Sequence, residues 1–275
     1  MPKYVAAVQM DCNQGDIEGN TQSVIRLLKG IKEREPETVL AVFPELCLYG
    51  YDKLELISEK YSQCEVMEYL EQIAEVCREN EIEAILGAPY IGEKGVENAL
   101  YFISKAGKVV HVYSKTHLID IEREVLIPGN RYGICQTSLG KAGFLVCWDA
   151  AFAEPARLYT KAGAEVLIVS AAWELPYNRQ WELAVGGRGF DNSLPVIAAN
   201  RTGKDGSAEF FGHAMITDCM GDIAAENISG KEGFVLAEAS TLFSKEKRKG
   251  FGSQIEELRE EIYNMDSVVF VNNLG

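Results

Sequence analysis

The chain has 275 residues, 47% of them hydrophobic and 25% charged, with a formal net charge of −14. That length can bury a large core, and that charge argues against a nucleic-acid partner or an anionic membrane surface. No apolar segment is long enough to span a bilayer.

Seven cysteines, with no CxxC pair, fit free thiols in a reducing compartment better than a disulfide framework or a metal site. The start, Met1-Pro2-Lys3-Tyr4-Val5, enters a strand pattern at once without signal-peptide anatomy, which predicts a cytoplasmic protein. No linker, repeat or low-complexity stretch interrupts the chain, so residues 1–275 read as one domain.

In chain order, Tyr4 to Met10 reads as a strand. Asn20 to Glu35 reads as a helix with Val24, Leu27, Leu28 and Ile31 on one face. Val39 to Phe43 is a strand, Leu56 to Asn80 one or two helices, and Ala84 to Pro89 a strand. Ala99 to Ser104 and Lys108 to Tyr113 form a hairpin around Lys105-Ala106-Gly107.

The second half holds a strand ending at Cys147, a helix from Ala153 and a strand at Val166 to Val169. A polar helix at Asn178 to Val185 and a strand at Pro195 to Asn200 follow. Ala214 to Thr217 and Gly233 to Ala239 read as strands, with a turn at Met220-Gly221-Asp222, and Gln254 to Tyr263 as a charged helix. Long crossovers mixed with hairpins predict an α/β protein with mixed sheets.

Cys147 stands at a strand-to-helix corner, where a helix N-terminus favours thiolate. A cysteine nucleophile needs a base and oxyanion donors. The chain has three histidines: His111 inside a strand, His117 two residues from Lys115, and His213. A Cys–His hydrolase is open, but nothing in the spacing recommends it. Glu45 follows an apolar strand and is either a base at the sheet edge or a solvated loop acid. Lys115 also lies just past a strand, as an oxyanion contact or an exposed lysine. Glu122, taken alone, is one acid among many.

Three segments carry a resemblance. Phe43-Pro44-Glu45-Leu46-Cys47-Leu48-Tyr49-Gly50-Tyr51 resembles the glutamate motif of the nitrilase superfamily, the carbon–nitrogen hydrolases. Tyr113-Ser114-Lys115-Thr116-His117-Leu118, with Pro128-Gly129 downstream, resembles its lysine motif. Gly143-Phe144-Leu145-Val146-Cys147-Trp148-Asp149, continuing to Glu154, Arg157 and Gly163-Ala164, resembles its cysteine motif. Weaker echoes include Glu97-Asn98-Ala99 and Ala199-Asn200-Arg201.

The resemblance implies a four-layer α-β-β-α sandwich and a Glu45–Lys115–Cys147 triad that cleaves small amides through a thioester. It implies a second active-site glutamate, matched better by Glu122 than by Glu124, and no metal or cofactor. Trp148, Trp173 and Tyr51 are the expected substrate contacts. The family often forms homodimers or larger homo-oligomers, with the helix from Pro155 to Gly163 and the one from Asn178 as interface candidates. The physical reading of the thiol leaves two opposed effects unranked: the lysine and helix terminus lower its pKa, and the two acids raise it.

Two departures stand out. Ala150 and Ala151-Phe152-Ala153 replace a pattern with arginine and proline, which predicts neutral or apolar acyl groups in place of carboxylate-bearing ones. Gly186, Gly187 and Gly189 stand where relatives carry alanines, either making room for a larger substrate or marking drift. Nitrile hydrolysis, hydrolysis of N-carbamoyl compounds and a non-catalytic interaction protein on the same fold remain as alternatives.

Overall fold

The computed structural model describes residues 2–51, 53–206, 208–243 and 254–263. The first half runs β1 (Tyr4–Gln9), α1 (Ile17–Arg34), β2 (Thr38–Val42), α2 (Ile57–Lys60), α3 (Gln63–Glu79), β3 (Glu83–Gly92), β4 (Gly95–Ser104), β5 (Lys108–Ser114) and α4 (Asp120–Arg123). The second runs β6 (Ile134–Thr137), β7 (Gly140–Val146), α5 (Ala153–Lys161), β8 (Val166–Ala171), α6 (Asn178–Asn192), β9 (Val196–Asn200), β10 (Thr202–Asp205), β11 (Ala208–Phe211), β12 (Ala214–Thr217), β13 (Ile223–Asn227), β14 (Gly233–Glu238) and α7 (Ala239–Leu242).

Two six-stranded sheets form. The first has the order β14-β1-β2-β3-β4-β5 and the second β13-β12-β9-β8-β7-β6. In the first, β1, β2 and β3 are parallel neighbours; in the second, β7, β8 and β9 are. The alternation of strand side chains explains the layering. Val5, Ala7, Leu40 and Val42 pack with Phe144, Val169 and Ile197 of the second sheet, in a core that also takes in Tyr159 of α5 and Trp181 of α6. Their neighbours Ala6, Val8, Ala41 and Phe43 face α1 and α3 instead. The result is the expected α-β-β-α sandwich.

Local signals explain the helix ends. Asp16 caps α1 by accepting from the Gly19 N–H. The segment 56–80 resolves into α2 and α3, with α3 started by a Ser62–Glu65 capping box. The hairpin at Lys105-Ala106-Gly107 forms, with Gly107 at φ +71°.

The expected helix at Gln254 to Tyr263 does not form: the segment is turns and one short 3₁₀ turn, Glu260–Ile262. Glu256 and Glu257 would stand four residues from Glu260 and Glu261, like charges on one face, and no residue of the 3₁₀ turn is buried to offset helix nucleation. The short strands β6, β10, β11 and β13, four or five residues each, carry too little alternation to stand out in the sequence.

Candidate active site

Glu45, Lys115 and Cys147 each follow the carboxyl end of a strand: β2, β5 and β7. The approach of Glu45 to the neighbouring strand requires a glycine, because a Cβ on Gly87 would lie 2.2 Å from the Leu46 nitrogen. Leu46 takes φ +45°, a strained turn for a branched side chain. Gly129 likewise approaches the end of β5, and its N–H donates to the Lys115 carbonyl at 2.8 Å.

The charged groups form one buried cluster. Glu45, Lys115 and Glu122 are each at most 1% exposed. Lys115 Nζ lies 2.8 Å from Glu45 Oε1 and 2.8 Å from Glu122 Oε2. The Asn98 side-chain amide donates to Glu45 Oε1 at 2.7 Å and to Glu122 Oε1 at 2.8 Å. The Ala172 N–H donates to the other Glu45 oxygen at 2.8 Å, and the Ile119 N–H to Glu122 Oε2 at 2.9 Å. The Tyr51 hydroxyl donates to Glu122 and stands 3.4 Å from Glu45 Oε1. Of the two candidate second glutamates, Glu122 is the one the structure brings to the lysine.

Burial pushes the Glu45 carboxyl above the usual carboxylate range; Lys115 opposes this and Glu122 adds to it. Burial alone would depress Lys115, but the charges of Glu45, Cys147 and Glu122 outweigh it and hold the ammonium above the ordinary lysine range.

Cys147 is 7% exposed and has φ +47°, a left-handed conformation that costs a non-glycine residue about 1–3 kcal/mol. The thiol's pKa does not fall, as its corner position alone predicts. It is pushed well above the ordinary thiol range, first by burial and then by Glu45, with Lys115 opposing and Glu122 adding. Cys147 opens only a five-residue 3₁₀ turn, Cys147–Ala151, and α5 begins at Ala153, so the helix terminus is not at the sulfur.

Two residues quoted in the motifs without a role prove central. Asn98 bridges both glutamates, and its only sequence signal was the Glu97-Asn98-Ala99 echo. Asp149 is fully buried and ties the cysteine turn to the lysine segment. Its oxygens accept from the Val146 N–H at 3.0 Å, Tyr113 Oη at 2.8 Å, Thr116 Oγ1 at 2.8 Å and the His117 N–H at 2.9 Å. His117 Nδ1 also lies 2.8 Å from Asp149. The histidines are thus held elsewhere than at Cys147: His117 on Asp149, His213 on Glu226 and His111 against Phe144.

Trp148 and Trp173 stand with ring centroids 6.1 Å apart, Trp148 exposed and Trp173 buried. A cleft of about 360 Å³ runs from Trp148 over Phe152, Leu118, Leu126 and Pro128 to Arg123. Arg123 is paired with Asp120 at 2.7 Å. Two of the three glycines of α6 lie against another element: a Cβ on Gly186 or Gly189 would meet the turn at Gly221, whereas one on Gly187 would meet nothing within 4 Å. Gly186 and Gly189 thus permit close helix–turn packing.

A thiol beside a buried carboxylate and a fixed ammonium, at the joined edges of two sheets, is a site fitted for acyl transfer. The chain belongs to the carbon–nitrogen hydrolase family, whose model matches residues 4–242. It is 31% identical to a probable nitrilase of Schizosaccharomyces pombe, over 96% of this chain and 98% of that one. It is 28% identical to a 2-oxoglutaramate amidase of Bacillus subtilis, over 94% and 98%. The crystal structure of a carbon–nitrogen hydrolase from Helicobacter pylori superposes with a TM-score of 0.85 at 25% identity, covering 95% of this chain and 97% of that one. The protein is accordingly a carbon–nitrogen hydrolase. Among the described residues, no helix is long and apolar enough to cross a membrane.

Proposed function

We propose that this enzyme is a cytoplasmic amidase that hydrolyses a small, neutral amide through a Cys147 thioester, as one domain over residues 1–275. The observation that carries the reading is the buried cluster in which Lys115 Nζ sits 2.8 Å from both Glu45 and Glu122. Glu45 takes the Cys147 proton as the sulfur attacks the amide carbon. Lys115 Nζ and the Trp148 N–H hold the oxyanion. Glu45 returns the proton to the leaving nitrogen, the C–N bond breaks and ammonia departs. Water then loses a proton to Glu45 and attacks the thioester. The C–S bond breaks, the thiol is restored and a carboxylic acid leaves.

Elevated proton affinities suit this cycle. A thiol and a base that are both shifted upward exchange one proton between near neighbours, so neither has to lose it to water. Glu122 and Asn98 serve as positioning residues that fix Lys115 and Glu45. The absence of an arginine at Ala151, where the family pattern places one, supports neutral acyl groups over carboxylates. Exposed Leu158 on α5 and Leu183 and Phe190 on α6 support self-association through these helices.

Ammonia release from a panel of amides, nitriles and N-carbamoyl compounds tests the reading. We expect turnover of neutral amides and a loss on the order of 10⁵-fold in Cys147→Ala. Full activity in Cys147→Ala, or faster turnover of carboxylate-bearing amides, would overturn it. The nitrile arm addresses a second reading, favoured by the name of the Schizosaccharomyces pombe relative.

A further inference from the structure

Asp149 is fully buried, and its two oxygens serve different segments of the chain. Oδ2 accepts from the Val146 N–H at 3.0 Å and from the Tyr113 hydroxyl at 2.8 Å. Oδ1 accepts from the His117 N–H at 2.9 Å and from Thr116 Oγ1 at 2.8 Å. Val146 directly precedes Cys147, and His117 lies two residues past Lys115. Among the described residues, every hydrogen bond between segment 113–117 and the turn Cys147–Ala151 runs through this one side chain.

The two ends that it joins belong to separate sheets. Lys115 donates its N–H to the Asn98 carbonyl of β4 and accepts from the Gly129 N–H, both at 2.8 Å. β7, which delivers Cys147, pairs with β6 and β8 of the second sheet. The bond from the Val146 N–H to Asp149 closes a ring around Cys147 and so holds its φ of +47°. The bond from the His117 N–H ties that ring to the lysine segment. Both bonds require an acceptor at both positions, because a backbone N–H can neither rotate away nor become an acceptor. A side-chain amide of the same shape would set its NH₂ against the Val146 N–H in one orientation and against the His117 N–H in the other. This holds whether or not the imidazole is protonated.

We infer that Asp149 is a positioning residue that sets the separation of Lys115 from the Cys147 sulfur by committing one oxygen to a backbone N–H on each side. This rests on the amidase reading above, in which that separation decides whether the ammonium meets the oxyanion. Asp149 acts through the backbone of the two segments, and a misplacement of about 1 Å at such a site costs about 10²-fold in rate.

The test uses the full-length enzyme and two readouts. One is ammonia release from short linear amides. The other is alkylation of Cys147 by iodoacetamide across pH, followed on its peptide by mass spectrometry. Asp149→Asn should lower kcat about 10²-fold, with KM changed less than about 3-fold. Lys115 opposes the upward push on the Cys147 thiol, so drawing the lysine away should also move the alkylation profile to higher pH. Tyr113→Phe is the stability control. It deletes a buried hydrogen bond to the same carboxylate but keeps both backbone ties, so Tm should fall while the alkylation profile stays in place. If Asp149→Asn fails to fold, Asp149→Ser carries the test: one short hydroxyl cannot serve both N–H groups, and its profile should move in the same direction. A profile that stays at the wild-type position in folded Asp149→Asn or Asp149→Ser overturns this inference, as does one that moves equally in Tyr113→Phe. Wild-type enzyme that is alkylated at Cys147 yet releases no ammonia from any amide overturns the amidase reading, while the alkylation profiles still decide the role of Asp149.

Discussion

The first sheet supplies Glu45 and Lys115 from just past the ends of β2 and β5 and Asn98 from within β4, and the second supplies Cys147 and Trp173 from just past the ends of β7 and β8. On the first side the two site charges, Glu45 and Lys115, are buried and answered: three donors converge on Glu45 at 2.8 Å or less, and Lys115 touches the carboxylates of Glu45 and Glu122. On the second sheet the sulfur is held by backbone, with φ +47° at Cys147 and the turn fixed by Asp149. One side stores its organisation in electrostatics and the other in conformation. Charges must be compensated before they can be dry, whereas a thiol needs only to be aimed. Replacing a group on the first side should therefore disturb stability more than replacing the sulfur on the second.

Lys115→Met presses that difference hardest. It strips the cation from two buried carboxylates, and breaking a buried charge network by removing one partner costs about 3–5 kcal/mol. The pH dependence carries the diagnosis. Glu45 already has a raised affinity for protons from burial, and losing Lys115 raises it further. A carboxyl with a raised folded pKa contributes stability at pH below its unfolded value, and that contribution is lost as pH rises through the folded value. The gap in Tm between wild type and Lys115→Met should thus narrow as pH is lowered from neutral. A gap that stays constant with pH would mean that packing, not charge, governs the first side. Cys147→Ala, by contrast, should shift Tm little.

The sequence made the strand-end positions of Glu45, Lys115 and Cys147 legible because each closes an apolar run with a polar residue. It made the four layers legible through the resemblance. Asn98 was not legible as a bridge, since one amide inside a hairpin strand has no signature until two carboxylates converge on it from β2 and α4. The proton affinity of Cys147 was beyond reach for a different reason. The lysine, the acids and burial act in opposite directions, and only distances and depth decide that burial and Glu45 win. The segment 254–263 misled because its spacing allows a helix that its charges and exposure oppose.

Gly87→Ala tests the conformational side of Glu45 without changing any charge. The new Cβ would fall 2.2 Å from the Leu46 nitrogen and 2.7 Å from Glu45 Cα, both backbone atoms that cannot swing aside. Overpacking of this kind costs about 1–3 kcal/mol. The loss in kcat should exceed the change in KM, because the base moves while the residues around the sulfur on the second sheet stay in place. Unchanged kcat in a destabilised Gly87→Ala would show that the position of Glu45 tolerates movement, and the two sides would then differ less than their geometry suggests.

Ser170→Ala is the smallest perturbation and acts on the seam itself. Ser170 Oγ, on β8 of the second sheet, donates at 2.7 Å to the Phe43 carbonyl, two residues before Glu45. With the Ala172 N–H on Glu45, it is, among the described residues, one of two direct polar links from β8 and its end to the segment carrying the base. Removing a buried neutral hydrogen bond should cost about 1 kcal/mol in urea unfolding. If the seam holds base and thiol in register, kcat should also fall a few-fold with KM unchanged, and the pH profile of kcat should move, because Glu45 shifts relative to the Ala172 N–H. A pure stability loss with an unmoved pH profile would assign that register to the Ala172–Glu45 bond alone. Ser170→Cys, which retains a weak donor in nearly the same volume, should recover part of the kcat only if the hydrogen bond, and not the space it fills, sets the register.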